Sequence, residues 1–323
     1  MPAHIYPFPT QSSTQEQTSP KLKKKLNSPQ LHRGPDPVEY ASFTAQSGRS
    51  VSLYLGDCFA GLERLVAPES VDVVVTSPPY NIGIEYTRYD DCIPRETYLE
   101  WIKCWAFLIY RVLKRDGSLF LNIGSKPSDP WVPFEVAAQL RQVFVLQNVI
   151  HWIKSIYVEN VSYGDEVSLN LGHFKPINSK RFVNDTQEYV FHFTKTGRVE
   201  LDRLAIGAPY KDSSNAKRWK TGSKGIRCRG NTWFIPYPTI QRRSSDRPHP
   251  ASFPPELAEM CIKLHGLSRV EFVVDPFLGI GSAAVACARL GVGMIGFEID
   301  RTYLEVAATT LQTVIAAPTK SGQ

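Results

Sequence analysis

From Val51 onward, short runs of β-branched and aromatic residues alternate with longer runs whose apolar positions recur at helical spacing. That alternation is the pattern of a mostly parallel sheet covered by helices. "VSLYLGD" reads as a strand ending at Asp57, and "VDVVVT" as a second. Residues 97–113, "TYLEWIKCWAFLIYRVL", read as a helix stopping before Asp116-Gly117, and "SLFLNIG" as the strand that completes a βαβ unit. A helix over 131–143 and the strands "VLQNVIHWI" and "QEYVFHF" follow, the two strands expected to pair as an antiparallel edge. The same logic then repeats: helix "PELAEMCIKLHG", strand "EFVVD", turn "PFLGIG", helix "SAAVACARLG", strand "GMIGFEI" and a last helix from Asp300.

The flanks and the middle differ. Residues 1–46 are rich in Ser, Thr, Gln, Pro and Lys and include the basic run Lys21 to Leu26, so they read as a disordered basic arm. Residues 47–197 and 248–315 form two halves of one domain, 316–323 a flexible tail, and 198–247, poor in strands and dense in cations, an inserted lobe. With 323 residues, 42% of them hydrophobic, the chain can bury a sizeable core. Lys and Arg exceed Asp and Glu by 37 to 31, a net +6 that admits an anionic partner without requiring one. The six cysteines lack paired or regular spacing and read as reduced thiols, and the histidines lack metal-ligand spacing, so no metal is expected. No stretch has the uninterrupted apolar length of a membrane span. A soluble intracellular protein is expected, cytoplasmic or nucleoid-associated, or nuclear in a eukaryote.

Two motifs carry chemistry. "VVDPFLGIGSAA" sets Gly279-x-Gly281 between a strand and a helix, with Glu298 ending the next strand; a doubly wound sheet uses this geometry to bring backbone close to a nucleotide and an acid to ribose hydroxyls. The glycines alone fit a tight strand-to-helix turn equally well, and Glu298 or Asp300 could be a helix-start acid. Asp275 and Phe277 just ahead of the glycines suit a cofactor with an amino acid portion better than a dinucleotide. The second motif, "TSPPY", stops a buried strand with two prolines, which lack an N–H and hold φ nearly fixed; they make a stiff turn whose carbonyls point away from any ladder.

"DPFLGIGS" and "TSPPY", with "HPASFPPEL" ahead of the former, resemble the S-adenosylmethionine-dependent amino-methyltransferases of nucleic acids over most of residues 50–315. With "TSPPY" first and "DPFLGIGS" last, the order is similar to the circularly permuted β group of these DNA enzymes. The resemblance implies an α/β, Rossmann-like methyltransferase fold, a mostly parallel seven-stranded sheet with permuted motif order and a small inserted recognition lobe. It implies S-adenosyl-L-methionine as cofactor and DNA as partner, leaves room for a companion restriction endonuclease, and does not give the oligomeric state. By the same resemblance Asp275, Phe277, Gly279 and Gly281 surround the methionine portion with Ser282 beside them. Glu298 then meets the ribose and Asp57 the adenine edge, while His249 and Phe253 lie in the cofactor-flanking motif. Independently of any family, Asp57, Ser77, Asp275 and Glu298 all fall at or just past carboxyl ends of expected strands, where parallel sheets place their ligand crevice.

An exocyclic base amine is a poor nucleophile because its lone pair is delocalised into the ring. Acceptors for its two N–H groups bias it toward tetrahedral geometry and stabilise the charge that develops; Ser77 and the Pro78 carbonyl are the candidates, held by Pro79. Tyr80 then stacks on an extruded base, the alternative being a buried tyrosine at a strand end. Ser at the first position of the tetrapeptide is more usual in cytosine-N4 enzymes and Asp in adenine-N6 enzymes, so cytosine N4 is favoured and adenine N6 stays open. Carbon-5 chemistry needs a thiolate, generally in a Pro-Cys dipeptide, and the chain has none.

Lys217, Arg218, Trp219, Lys220, Lys224, Arg227 and Arg229, with Trp233 and then Arg242, Arg243 and Arg247, interleave cations, aromatics and glycines as phosphate and base-edge contacts do. A core-packed Trp219 with solvated charges is the plainer alternative. An RNA substrate, an NAD-type oxidoreductase and a non-catalytic DNA-binding module are the remaining competing readings.

Overall fold

The computed structural model describes residues 36–45, 47–158, 169–172, 178–210, 225–236 and 252–317. Strand β1 (Val38–Thr44) runs antiparallel to β2 (Ser50–Leu55) across a turn closed by Ala45 and Arg49. This corrects the reading of residues 1–46 as disordered throughout, because Tyr40 and Phe43 pack onto the core. After β2 come α1 (Cys58–Arg64), β3 (Val71–Thr76), α2 (Arg95–Val112), β4 (Leu113–Ile123), α3 (Val132–Leu140) and β5 (Val145–Ile153). A small pair, β6 (Ile156–Val158) with β7 (Leu169–Leu171), precedes β8 (Gln187–Thr194). A second pair, β9 (Ala208–Pro209) with β10 (Ile226–Arg227), precedes β11 (Thr232–Phe234). The chain ends with α4 (Pro255–Gly266), β12 (Phe272–Asp275), α5 (Ser282–Leu290), β13 (Gly293–Glu298) and α6 (Arg301–Ala316).

Among the described residues one sheet has nine strands in the order β1-β2-β13-β12-β3-β4-β8-β5-β11. The seven expected strands are its centre, and β1 and β11 extend it at either end. Strands β5 and β8 are antiparallel as expected, yet they are not the edge: β11 pairs parallel with β5, setting Trp233 beside Trp152. Trp233 is 1% exposed and Trp152 fully buried. The segment 198–247 is therefore not wholly an inserted lobe, since its described part supplies a sheet strand and the buried Val199 and Ile206.

Every residue of β3 is buried, as expected of a β-branched strand covered on both faces. Val73 and Val75 pack with Leu257, Ile262, Val285 and Leu304 of α4, α5 and α6, whereas Val74 packs with Leu62, Ile109 and Val136 of α1, α2 and α3. Along α2, Tyr98, Ile102, Trp105, Ala106, Ile109 and Val112 are buried, the stripe that its apolar spacing dictates. The crossover from β12 to β13 thus runs on one face through α5, and that from β3 to β4 on the other through α2. Between the parallel neighbours β12 and β3 lies the topological switch point, where such sheets open a crevice at their carboxyl edge. Among the described residues no helix is long and apolar enough to cross a membrane.

Candidate active site

Strand β12 delivers Asp275 to that crevice. Its Oδ1 accepts hydrogen bonds from Thr76 Oγ1 at 2.6 Å and from the Phe277 N–H at 3.0 Å, so the ends of β3 and β12 are tied directly across the switch point. Asp275 is 1% exposed, and its Oδ2 is buried with no hydrogen-bond partner among the described residues. Burial raises its pKa to about 7, against the Thr76 and Phe277 hydrogen bonds and with the charge of Glu298. Glu298, ending β13, accepts the Gly279 N–H on Oε2 at 2.8 Å and the Ile299 and Asp300 N–H groups on Oε1 at 2.9 Å each. Burial lifts it to about 7 as well, although those three donors oppose the rise.

The glycine loop takes its shape from backbone geometry. Gly279 and Gly281 have φ of 54° and 86°, the left-handed region that glycine enters without strain. A Cβ on Gly281 would lie 2.8 Å from that of Ala307, so the residue also lets α5 approach α6. Ser282 opens α5 and Asp57 caps α1, accepting the Phe59 and Ala60 N–H groups at 2.9 and 3.3 Å. Asp300 caps α6 through the Thr302 N–H at 2.8 Å, and its Oδ2 is a second buried oxygen of the site with no hydrogen-bond partner among the described residues. Phe277 meets Trp101 at 5.3 Å and the edge of Trp105 at 5.7 Å, which gives the crevice an aromatic wall from α2.

On the β3 side, Ser77 Oγ lies 2.8 Å from Tyr80 Oη. Tyr80 donates to Glu188 Oε2 at 2.9 Å, Asn122 Nδ2 donates to Tyr80 Oη and Glu188 Oε2 at 2.8 Å each, and Lys154 Nζ donates to Glu188 Oε1 at 2.9 Å. Asn122 also reaches Ser77 Oγ, at 3.4 Å. Burial works to raise the Glu188 pKa, but the Lys154 charge and the hydrogen bonds from Lys154, Asn122 and Tyr80 outweigh it and hold the carboxyl below its ordinary value. The diproline bend is braced by Tyr98 Oη, which donates to the Pro79 carbonyl at 2.8 Å. Beyond it Asp91 accepts the N–H groups of Asn81, Ile82 and Ile84 at 2.8, 3.1 and 2.9 Å, fixing the turn in which Asn81 takes φ of 57°.

The structure therefore gathers Ser77, Pro78, Pro79, Tyr80, Asp275, Phe277, Gly279, Gly281, Ser282, Glu298 and Asp57 along one edge. Two expectations change, those for Tyr80 and Trp233. Tyr80 is 7% exposed with its hydroxyl engaged, so here it is a buried link between Ser77 and Glu188 and not an open stacking platform. Phe253, 6% exposed, belongs to the same core cluster as Leu257. Trp233 belongs to the sheet, as above. Of the expected nucleic-acid contacts, Arg227 and Arg229 are exposed, Arg229 Nε donating to the Ile206 carbonyl at 2.8 Å. Lys217, Arg218, Trp219, Lys220, Lys224, Arg242, Arg243 and His249 lie outside the described residues. Sequence reading missed Asn122, Lys154 and Glu188; the available signal was a polar residue near or just past one end of each apolar strand.

This strand order, with a glycine loop and acids at the switch point and the diproline bend preceding them in the chain, defines a Rossmann-like methyltransferase fold of permuted order. The chain belongs to the DNA methylase family of N6/N4 methyltransferases, whose pattern matches residues 71–309. The Type II methyltransferase M.ScaI of Streptomyces caespitosus is 29% identical over 272 residues, 81% of each chain. The PvuII DNA methyltransferase, cytosine-N4-specific, shares the fold with a TM-score of 0.58 and 20% identity, over 84% of this chain and 88% of that one. A Thermus thermophilus protein described as a DNA modification methylase, in complex with S-adenosyl-L-methionine, has a TM-score of 0.53 and 21% identity, over 82% and 95%.

Proposed function

We propose that this DNA methyltransferase transfers a methyl group to the exocyclic N4 amine of cytosine in DNA, with S-adenosyl-L-methionine as the donor. The residues at the switch point fit that cofactor. Buried Asp275 Oδ2 needs a donor, and an amino acid ammonium supplies one; the loop from Phe277 to Gly281 offers backbone at close range, and Asp57 and Glu298 place acids where ribose and adenine donors would come. When bound, the cofactor supplies an electrophilic sulfonium methyl. Ser77 and the Pro78 carbonyl accept the two amine N–H bonds, the Pro79 carbonyl being occupied by Tyr98. Held by these two acceptors, the amine would keep its lone pair directed at the methyl group that the cofactor would supply, and solvent would take the proton the amine loses.

The observation that carries this reading is the Thr76–Asp275 hydrogen bond, which puts Ser77 one residue from the tie between the two motifs. Ser77 in the tetrapeptide favours cytosine over adenine. The exposed Arg227 and Arg229 and the cations from Lys217 to Arg243 contact DNA phosphates, and the Type II relatives suggest a role in protecting a site from a companion endonuclease. The test is to methylate unmodified DNA with the purified protein and map the products at base resolution. N4-methylcytosine at a fixed site supports the proposal; N6-methyladenine overturns the choice of base, and no transfer overturns the activity.

A further inference from the structure

We propose that Glu188, anchored by Lys154, is a positioning residue that sets the direction of the Ser77 hydroxyl, so that Ser77 turns lone pairs and not its proton toward the target amine. The inference rests on the methyltransferase reading above. It follows from counting protons. A carboxylate only accepts, so the 2.9 Å contact between Tyr80 and Glu188 must be the phenol donating. Tyr80 then has no proton left, and its 2.8 Å contact with Ser77 can be made only by the serine O–H. Asn122 Nδ2, donating to both Tyr80 and Glu188, enforces the same direction, because turning that amide would set its oxygen against the carboxylate.

The relay crosses four chain segments along the sheet edge: the bend after β3, then β4, β8 and the end of β5. Strand β8 is antiparallel to both its neighbours, β4 and β5, and its first residues therefore reach the edge where the parallel strands end. The groups facing Glu188 are Lys154, Asn122 and Tyr80, with Asp185 sharing the field of Lys154. Lys154 holds Glu188 anionic at a partly buried position, the side chains being 18% and 12% exposed. If position 188 were neutral and donating, the chain would reverse. Tyr80 would then pass its proton to Ser77, and the serine O–H would point at an amine that itself needs acceptors.

A partly buried ion pair that only clamps β5 to β8 would not move a pH profile, and this separates the two roles. Single-turnover transfer from labelled S-adenosylmethionine to unmodified plasmid DNA is measured between pH 5.5 and 9 for wild type, Glu188→Gln, Lys154→Met, Lys154→Arg and Tyr80→Phe, with cofactor affinity measured separately. We expect Glu188→Gln to lose about 100-fold in rate with cofactor affinity within about threefold. Lys154→Met should move the acid limb toward neutral pH by about one unit or more, and Lys154→Arg should restore it. Tyr80→Phe leaves the ion pair intact and serves if the charge variants fold poorly; it should lose at least about tenfold. Wild-type rates and profiles in the folded variants overturn the relay alone. No transfer by the wild-type protein overturns the methyltransferase reading and the relay with it.

Discussion

Asp275→Asn should stabilise the cofactor-free protein at alkaline pH while weakening the cofactor. The buried carboxyl has a pKa raised from 3.8 to about 7, mainly by desolvation. Between those values the folded state keeps a proton that the unfolded state has lost, so stability falls as pH rises from about 4 and levels off above about 7. At about 1.4 kcal/mol per pH unit, the carboxylate costs on the order of 4 kcal/mol at pH 8. Asparagine keeps both accepted hydrogen bonds on Oδ1 and puts its NH2 where Oδ2 has no partner. That unpaired donor costs about 1–3 kcal/mol. The variant should therefore be more stable than wild type by about 1–3 kcal/mol at pH 8, and equal or less stable at pH 5. Urea unfolding at the two pH values reads this, and calorimetric titration should show S-adenosylmethionine binding at least about tenfold weaker once the charge-assisted hydrogen bond is removed. A stability difference independent of pH, or undiminished cofactor affinity, would refute the assignment of Asp275.

Gly281→Ala forces a side chain into a backbone with φ of 86° and to within 2.8 Å of the Ala307 Cβ; a loss of about 1–3 kcal/mol is expected, and an unchanged Tm would contradict it. Trp233→Ala should cost about 3–5 kcal/mol through its buried ring, lowering Tm; a wild-type Tm with impaired DNA binding would return Trp233 to the DNA surface. Replacing Lys217, Arg218 and Lys220 by alanine should flatten the dependence of DNA affinity on salt by about 0.9 in log–log slope for each phosphate no longer neutralised, and an unaltered slope would move the phosphate-binding groups elsewhere.

The glycine-loop half of the crevice was legible because its determinants are local. An acid, two glycines and a helix start within a few residues specify a turn in any chain that builds a parallel sheet, and the structure finds Asp275, Gly279 and Gly281 in it. The central strands were legible because "VDVVVT" or "QEYVFHF" has no other way to bury its residues. Strand β1 was hidden by polar neighbours, and β11 by its three-residue length within a basic loop, since pairing with β5 and not its own pattern makes it a strand. The relay was invisible for a topological reason. Asn122, Lys154 and Glu188 become neighbours of Ser77 only once the sheet order is known and β8 is seen to run backwards.

The most direct trial of the account compares wild type with Ser77→Ala at saturating S-adenosylmethionine, hydrolysing the DNA to nucleosides and weighing the methylated product. The account predicts N4-methylcytosine from wild type, and from the variant the same cofactor affinity with a rate lower by about 100-fold or more. Transfer by the variant at the wild-type rate, or a methyl group found on carbon-5, would contradict it.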